Sequence, residues 1–116
     1  MLYQGSCHCG AIRFEFNSIT IDSGLRCNCS LCKKKGAVMT SFALAPEDIN
    51  VVVEEDALSV YQFDSGVAQH YFCNRCGIYP FHQTLSKPGH YRVNIGCLDS
   101  VDSLALKTDT FDGQAL

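Results

Sequence analysis

The sequence predicts an all-β fold in which antiparallel sheets are held together by metal-binding cysteines. Three observations lead to this prediction. Short apolar segments with alternating polar residues follow one another at intervals of roughly 8–12 residues, separated by turn residues, which is typical of antiparallel β-domains. Eight cysteines are present, and seven of them lie in three short clusters. The length of 116 residues is that of one domain, so residues 1–116 are expected to form a single unit with its own core.

The overall charge argues against several classes of protein. The formal net charge is −3, whereas a nucleic-acid-binding protein usually presents a basic face. No apolar stretch approaches the ~18 residues of a membrane span. Gln4, His8, Arg13 and Glu15 interrupt the beginning of the chain, so no secretory signal is expected. The predicted location is cytoplasmic, where thiols stay reduced and clustered cysteines indicate metal ligands before disulfides.

The first half of the chain contains five predicted strands and one helical turn. Residues 11–16 alternate apolar and polar side chains, which is the period of a half-buried strand. Ser30 is expected to cap a short helical turn over residues 31–35, which Gly36 ends. Apolar and β-branched segments predict strands over residues 2–7, 11–16, 25–27, 37–44 and 49–54.

The second half begins with a predicted β-hairpin. Residues 58–63 alternate, a turn follows at residues 64–66, and residues 67–72 return as the partner strand. Pro80 is expected to place the strand over residues 78–83 at a sheet edge, because proline has no N–H to donate. The remaining predicted elements are an alternating strand over 90–97, a helical turn within 99–106 and a short strand over 107–111.

Two of the cysteine clusters complement each other as a four-ligand site. Cys73 and Cys76, followed by Gly77, have the spacing of a zinc knuckle, in which the glycine lets backbone amides turn toward the sulfurs. A tetrahedral structural site needs a second pair, and Cys7 and Cys9 supply one. Such a site would join the first strand to a segment far along the chain, which suits a structural metal. Spacing alone also allows the clusters to pair differently.

The third cluster, Cys27, Cys29 and Cys32, offers three thiolates from one loop and turn. Catalytic zinc sites have three protein ligands and an open position, so this cluster would hold a Lewis acid if water or substrate is the fourth ligand. The alternative is a second structural site that a protein side chain closes. The candidates for that side chain are Cys97, His70, His82 and His90. Spacing does not decide between these two interpretations.

Four segments of the chain together resemble one known family. They are residues 5–10, 27–32, 71–77 and 93–99, and the family is that of the glutathione-dependent formaldehyde-activating enzymes, to which centromere protein V belongs. The chain looks like a short member. The resemblance implies an all-β, tent-like fold with two zinc ions per chain. It implies a structural zinc on Cys7, Cys9, Cys73 and Cys76, and a catalytic zinc on Cys27, Cys29 and Cys32.

The resemblance also implies a reaction. A zinc-dependent carbon–sulfur lyase would add the thiol of glutathione, or of a similar molecule, to formaldehyde or another small aldehyde, giving S-(hydroxymethyl)glutathione in the first case. The expected partners are a small thiol and an aldehyde, with neither nucleic acid nor membrane, and the oligomeric state is not predicted. The alternative is a non-catalytic, zinc-stapled β-domain that binds a protein partner.

Charged and titratable residues near the clusters are candidates for binding substrate. Lys33, Lys34 and Lys35 are expected to attract a thiol that carries carboxylates, and the alternative is a solvated run of charge. His82 and His90 lie on or beside strands that follow the last cluster, and either is a candidate proton shuttle.

Overall fold

The computed structural model of the protein describes residues 1–62, 69–84, 87 and 89–112. Within these ranges the chain forms three small sheets and one short helix, α1 (Ser30–Lys35), so the all-β prediction is confirmed. The strands are β1 (Leu2–Ser6), β2 (Ile12–Asn17), β3 (Ser23–Cys27), β4 (Met39–Thr40), β5 (Ile49–Val53), β6 (Leu58–Tyr61), β7 (Gln69–Cys73), β8 (Phe81–Gln83), β9 (Tyr91–Val93) and β10 (Lys107–Phe111). Short 3₁₀ turns lie at Pro46–Asp48, Ile95–Cys97 and Ser103–Ala105. None of the helices in the described ranges has the length and hydropathy that a membrane crossing requires.

The first sheet is antiparallel, with β2 between β1 and β5. The alternation in β2 has the predicted effect, because Ile12, Phe14 and Phe16 are buried whereas Arg13 is exposed. Full burial of an apolar side chain of this size stabilises the fold by ~1.5–3 kcal/mol. The sheet therefore forms one wall of the core.

The second sheet carries the loop of the third cysteine cluster. Its order is β10–β3–β4, and β10 runs parallel to β3, from Lys107 opposite Ser23 to Phe111 opposite Cys27. Gly24 in the central strand packs so closely that an added Cβ would overlap the Cγ1 methyl of Val38. The sheet thus depends on a close approach between β3 and the segment that precedes β4.

The predicted strand over residues 37–44 is wrong over most of its length, because only Met39–Thr40 pairs in the sheet. The side chain of Thr40 explains the interruption. Its hydroxyl donates to the Phe42 carbonyl oxygen over 2.9 Å and accepts from the Val93 amide over 3.1 Å. Side-chain bonds to the backbone compete with a strand ladder, and here they turn the chain away from the sheet.

The third sheet is an antiparallel meander with the order β6–β7–β8–β9. The expected edge position of the strand near Pro80 is wrong, since β8 lies between β7 and β9. Pro80 precedes the first residue of β8, so its missing N–H interrupts no pair of the ladder. The predicted strand over 90–97 is also shorter, because the Asn94 side chain accepts from the Gly96 amide and begins a 3₁₀ turn. The predicted turn at residues 64–66 lies outside the described residues.

The core lies between the first and the third sheet. Phe14 on β2 meets Phe81 on β8 edge to face, with ring centroids 5.9 Å apart. Phe81 also contacts Tyr91 on β9, at 5.5 Å, and is 1% exposed. Pairs of this geometry add about 0.5–1.5 kcal/mol to the effect of burial. These aromatic contacts hold together the two sheets whose strands lead into the first and the last cysteine clusters.

Candidate metal centres

The structure brings seven of the eight cysteines together in two groups, and all eight are free thiols. The first group, called the four-thiol group below, consists of Cys7, Cys9, Cys73 and Cys76, whose sulfur atoms lie within 4.8 Å of one another. The second, called the three-thiol group, consists of Cys27, Cys29 and Cys32 within the same limit. The first cysteine cluster thus lies beside the last one, which is the pairing that the zinc-knuckle spacing favours.

The four-thiol group joins the first sheet to the third. Cys7 follows β1 directly, and Cys73 is the last residue of β7. The Cys9 sulfur lies 3.7 Å from that of Cys7 and 3.7 Å from that of Cys73. Each half of the group is followed by a glycine with positive φ, Gly10 at 83° and Gly77 at 79°, a conformation that other residues adopt only with strain. Both turns therefore fold back around the sulfurs.

The electrostatics of the four-thiol group favour a thiolate at Cys76. Burial raises the pKa of this thiol, but the backbone N–H groups of Ile78 and Cys9 and the neighbouring thiols outweigh it and lower the pKa to about 6. The Ile12 amide donates to the Cys7 sulfur over 3.3 Å. Amide donors of this kind stabilise the anionic sulfur that metals require. Four soft donors at this spacing fit a tetrahedral ion such as zinc.

The three-thiol group is local to the end of β3 and the start of α1. Cys27 is the last residue of β3, and Cys32 lies in the first turn of the helix. Ser30 was expected to cap this helix, but the cap is Cys29, whose sulfur accepts from the Cys32 amide over 3.3 Å. The cap bond therefore also sets the distance between two of the three sulfurs. All three residues are half-buried.

The three thiols differ in acidity because of their surroundings. Burial, and then the neighbouring Cys29 and Cys27, raise the pKa of Cys32 to about 12. Burial acts in the same direction on Cys29, but hydrogen bonds from the Cys32 backbone and from the Cys32 and Cys27 thiols bring its pKa below the ordinary value. A cation that neutralises the group is thus needed before all three sulfurs can be anionic together. The donor set fits a thiophilic metal with three protein ligands.

The three-thiol group has no fourth protein donor of the usual kinds among the residues described. No other Cys and no His, Asp or Glu of the described ranges joins it within the 4.8 Å limit. Cys97 belongs to neither group; burial, and then the charges of Cys7 and Cys76, raise its pKa to about 12. Its thiol points to the Tyr79 carbonyl oxygen, 3.8 Å away. The side chains proposed to close this site, His70, His82, His90 and Cys97, therefore lie outside the group.

The last strand holds the loop between Cys27 and Cys29. The Asn28 amide donates to the Phe111 carbonyl oxygen over 3.2 Å, and its side-chain amide donates to the Asp112 carboxylate over 3.2 Å. None of these three residues was predicted from the sequence to belong to a site. Their signal in the sequence is weak because Asn28 and Asp112 lie 84 positions apart. They follow two parallel strands, β3 and β10, which no hairpin turn connects.

The three lysines after Cys32 separate in the structure. Lys33 and Lys34 are exposed, whereas Lys35 is half-buried. The Lys35 ammonium nitrogen lies 2.6 Å from Nδ1 of His70 and 3.5 Å from the centroid of the Tyr79 ring. The helix that carries the three-thiol group is therefore fixed to the third sheet through Lys35.

A polar cluster, consisting of Lys35, His70, Tyr79 and His82, lies where α1 meets the third sheet. His70 and His82 are opposite each other on β7 and β8, with ring centroids 5.3 Å apart. The Tyr79 hydroxyl is hydrogen-bonded to Nδ1 of His82. Arg92 is the neighbour of His82 on β9, and it donates to the Thr40 carbonyl oxygen over 2.8 Å.

The pKa shifts give the polar cluster one arrangement of protons at neutral pH. Burial, and then the Lys35 charge, lower the pKa of His70 to about 4 and that of His82 to about 3. Burial, and then the thiolates beginning with Cys32, raise the pKa of Tyr79 well above its usual range. Both histidines are therefore neutral and the Tyr79 hydroxyl keeps its proton, so Lys35 donates to His70 and Tyr79 donates to His82.

Burial and the neighbouring thiols shift the pKa of Lys35 in opposite directions. Burial lowers its pKa to about 8, while Cys32, Cys29 and Cys27 act in the opposite direction. Lys35 is thus a cation whose charge the adjacent thiolates favour. Tyr79 adds to this, because a ring face attracts a cation within about 6 Å of its centroid.

The chain is similar to proteins of one known family. The family model for glutathione-dependent formaldehyde-activating enzyme matches residues 2–114. A protein of Halomonas elongata, named "Putative glutathione-dependent formaldehyde-activating enzyme", is 35% identical over 82 residues, which cover 66% of this chain and 52% of that protein. The chain thus spans about half the length of this curated relative.

A solved structure shares the fold. The crystal structure of a Rhodobacter sphaeroides protein matches with a TM-score of 0.81 and 35% sequence identity, over 93% of this chain and 99% of that one. The similarity to the crystal structure therefore extends over almost all of both chains. Because the family model covers nearly every residue, the chain belongs to the family of glutathione-dependent formaldehyde-activating enzymes.

Proposed function

We propose that this chain is a zinc-dependent carbon–sulfur lyase that adds the thiol of glutathione, or of a similar small thiol, to formaldehyde or another small aldehyde. The observation that carries the proposal is the three-thiol group, for which the described residues supply no fourth His, Cys, Asp or Glu donor. A metal with three protein ligands keeps a position for an exogenous ligand. Membership of the family supports the same chemistry.

Two zinc ions per chain are part of the proposal, and their roles differ. The four-thiol group joins residues 64 positions apart in the chain and closes its own coordination sphere, which is the pattern of a structural metal. The three-thiol group joins residues of one loop and one helical turn, so a metal there adds less to the tertiary fold than a metal in the four-thiol group. It is therefore the group assigned to catalysis.

A zinc ion held by Cys27, Cys29 and Cys32 would lower the pKa of a thiol that binds it and stabilise negative charge. The protein positions these sulfurs from two sides. The Cys29 cap bond sets the start of α1, and the Asn28 bonds to Phe111 and Asp112 hold the preceding loop. Fixed donors lose little free energy to reorganisation during the reaction.

Substrate capture is assigned to the exposed lysines of α1. Lys33 and Lys34 follow Cys32 directly and project to solvent. Glutathione carries carboxylates, and two cations beside the site would raise its local concentration. This attraction weakens at high ionic strength, because exposed charges are screened over about 10 Å at 0.1 M salt.

The test combines metal analysis with a direct measurement of the reaction. Zinc per chain and the thiol-dependent conversion of formaldehyde, followed by exchange spectroscopy against the uncatalysed rate, are measured for the wild type and for Cys29→Ser. The expected result is an active wild type with two zinc ions, and a folded, inactive variant with one zinc fewer. Cys97→Ser is the control, since Cys97 belongs to neither group, and it should keep both metals.

Two outcomes would contradict the proposal. No acceleration by the zinc-loaded wild type with glutathione or with other small thiols would exclude the enzyme. Loss of the fold in Cys29→Ser, with Cys97→Ser intact, would show that the three-thiol group is structural and would favour a zinc-stapled domain that binds a protein partner.

A further inference from the structure

Lys35 differs from the two lysines before it in its burial and in its contacts. It is half-buried where they are exposed, and its ammonium group lies inside the polar cluster. His70 on β7 and Tyr79, between β7 and β8, supply the contacts that hold it. The helix that carries Lys35 also carries Cys32. A role in the general attraction of anions, as proposed for Lys33 and Lys34, does not require such placement.

We propose that Lys35 is a catalytic residue of the thiol addition, whose ammonium group donates a hydrogen bond to the aldehyde oxygen and stabilises the negative charge that develops there. This inference rests on the proposed function of the three-thiol group. His70 and Tyr79 are positioning residues in it, because they contact Lys35 and hold its amine.

The orientation of the amine supports this role. An ammonium group has three N–H donors, and within the described part of the chain the bond to His70 uses one of them. Tyr79 covers one side of the group with its ring, and its own hydroxyl is bound by His82. The remaining donors are thus held in a fixed place on the helix that also carries Cys32, and the three thiols of the group favour the charge of Lys35. Preorganised donors of this kind cost no reorganisation during the reaction.

The chemical step balances without a further reactant. The thiol gives its proton to water as it ionises. An electron pair on its sulfur then forms the carbon–sulfur bond, and the π pair of the carbonyl moves to the oxygen. Lys35 donates a hydrogen bond to this oxygen and keeps its own proton, and a proton from water completes the hydroxyl group. The net change is thiol plus aldehyde to S-hydroxyalkyl thioether, with no oxidation or reduction.

Kinetics of substituted proteins distinguish this role from carboxylate binding. Lys35→Met and Lys35→Arg are compared with the wild type and with the control Lys107→Met, at an exposed position of β10. The zinc content and unfolding midpoint of each protein are measured. We expect Lys35→Met to lose about 10²–10³-fold in kcat, as on removal of one oxyanion donor, with little change in KM for glutathione. Lys35→Arg should retain part of the activity, and Lys107→Met should retain the wild-type kcat.

The same series is repeated with cysteamine, a thiol without a carboxylate. An equal loss of kcat in Lys35→Met with cysteamine and with glutathione supports a donor to the aldehyde oxygen. A defect that appears as a raised KM for glutathione and disappears with cysteamine would show that Lys35 binds the carboxylate, and would overturn the inference. If Lys35→Met does not fold, Lys35→Gln takes its place, and an unchanged kcat in that variant also overturns it.

A second readout does not depend on activity. Nitrogen NMR of the imidazole of His70 in the zinc-loaded protein should report a hydrogen bond at Nδ1 that Lys35→Met removes and Lys107→Met leaves intact. An unchanged His70 signal in Lys35→Met would contradict the positioning. An inactive wild type is a different result, because it excludes the proposed function whatever the Lys35 variants show.

Discussion

The two thiol groups should differ greatly in what their metals contribute to stability. The four-thiol group closes a loop between residues 64 positions apart, whereas Cys27 and Cys32 are five positions apart. With the chain-entropy relation for a cross-link, closing the longer loop stabilises the fold by about 4 kcal/mol and closing the shorter one by about 2 kcal/mol. Removing the first metal should therefore cost about twice as much as removing the second.

The perturbation is a pair of serine substitutions, Cys76→Ser in the four-thiol group and Cys29→Ser in the three-thiol group. Serine keeps an oxygen at position 29 that can still cap α1, so the cost of losing the cap is small there. A loss of about 4 kcal/mol is a large part of the 5–15 kcal/mol that stabilises a typical domain. Cys76→Ser is expected to lower the melting temperature by roughly 15 °C, and Cys29→Ser by about half as much.

The assay is thermal unfolding, together with urea unfolding, followed by circular dichroism at one fixed concentration of free zinc. The metal content of each protein is measured first. Cys97→Ser, which should keep both metals, is the reference for substitution of a cysteine outside the groups. Equal destabilisation by the two variants, each with one zinc fewer, would refute the loop argument. A larger effect of Cys29→Ser would reverse the assignment of structural and catalytic metal.

Three further predictions follow from the packing and the charges. Gly24→Ala should destabilise the protein by about 1–3 kcal/mol because its Cβ overlaps the Val38 side chain. Urea unfolding should show that the alanine at position 24 costs less when Val38→Ala is also present. Additive costs of the two substitutions would contradict this prediction. His82→Gln should flatten the dependence of stability on pH. The pKa of His82 falls from 6.5 to about 3 on folding, so the stability that depends on the neutral imidazole is present above pH 6.5 and is lost as the pH falls toward 3, by about 1–2 kcal/mol between pH 7 and 5. Equal slopes of the unfolding free energy against pH for the variant and the wild type would contradict this prediction. Joint substitution of Lys33 and Lys34 by glutamine should raise KM for glutathione at low salt and leave KM for cysteamine unchanged, whereas equal effects on both thiols would contradict a role in carboxylate attraction.

The sequence predicts well what depends on local spacing. The Cys73–Cys76 knuckle with Gly77 and the tight group from Cys27 to Cys32 are recognisable because metal ligands on one turn must stand a few residues apart. The alternation of β2 predicts its buried face for a similar reason, since side chains of a strand point to opposite sides in turn.

The polar cluster is not predictable in this way. Lys35, His70, Tyr79 and His82 come from separate elements, and only the register of β7 against β8 puts the two histidines opposite each other. The lysines Lys33 to Lys35 look alike in the sequence. What separates them is the position of α1 against the third sheet, which buries one of the three and leaves two exposed. Register and docking of this kind are tertiary properties.

The parallel pairing of β3 with β10 has a consequence for how the protein is made. Asn28 and Asp112, which it brings together, are 84 positions apart, and a ribosome adds about 5–20 residues per second. Several seconds of synthesis therefore pass between the emergence of the three thiols and that of the strand that backs their loop. Cys27, Cys29 and Cys32 are contributed by a single short segment, so they can take up a metal during this interval. Metal loading of the nascent chain would thus precede completion of the second sheet, and β10 would close over an ion already in place.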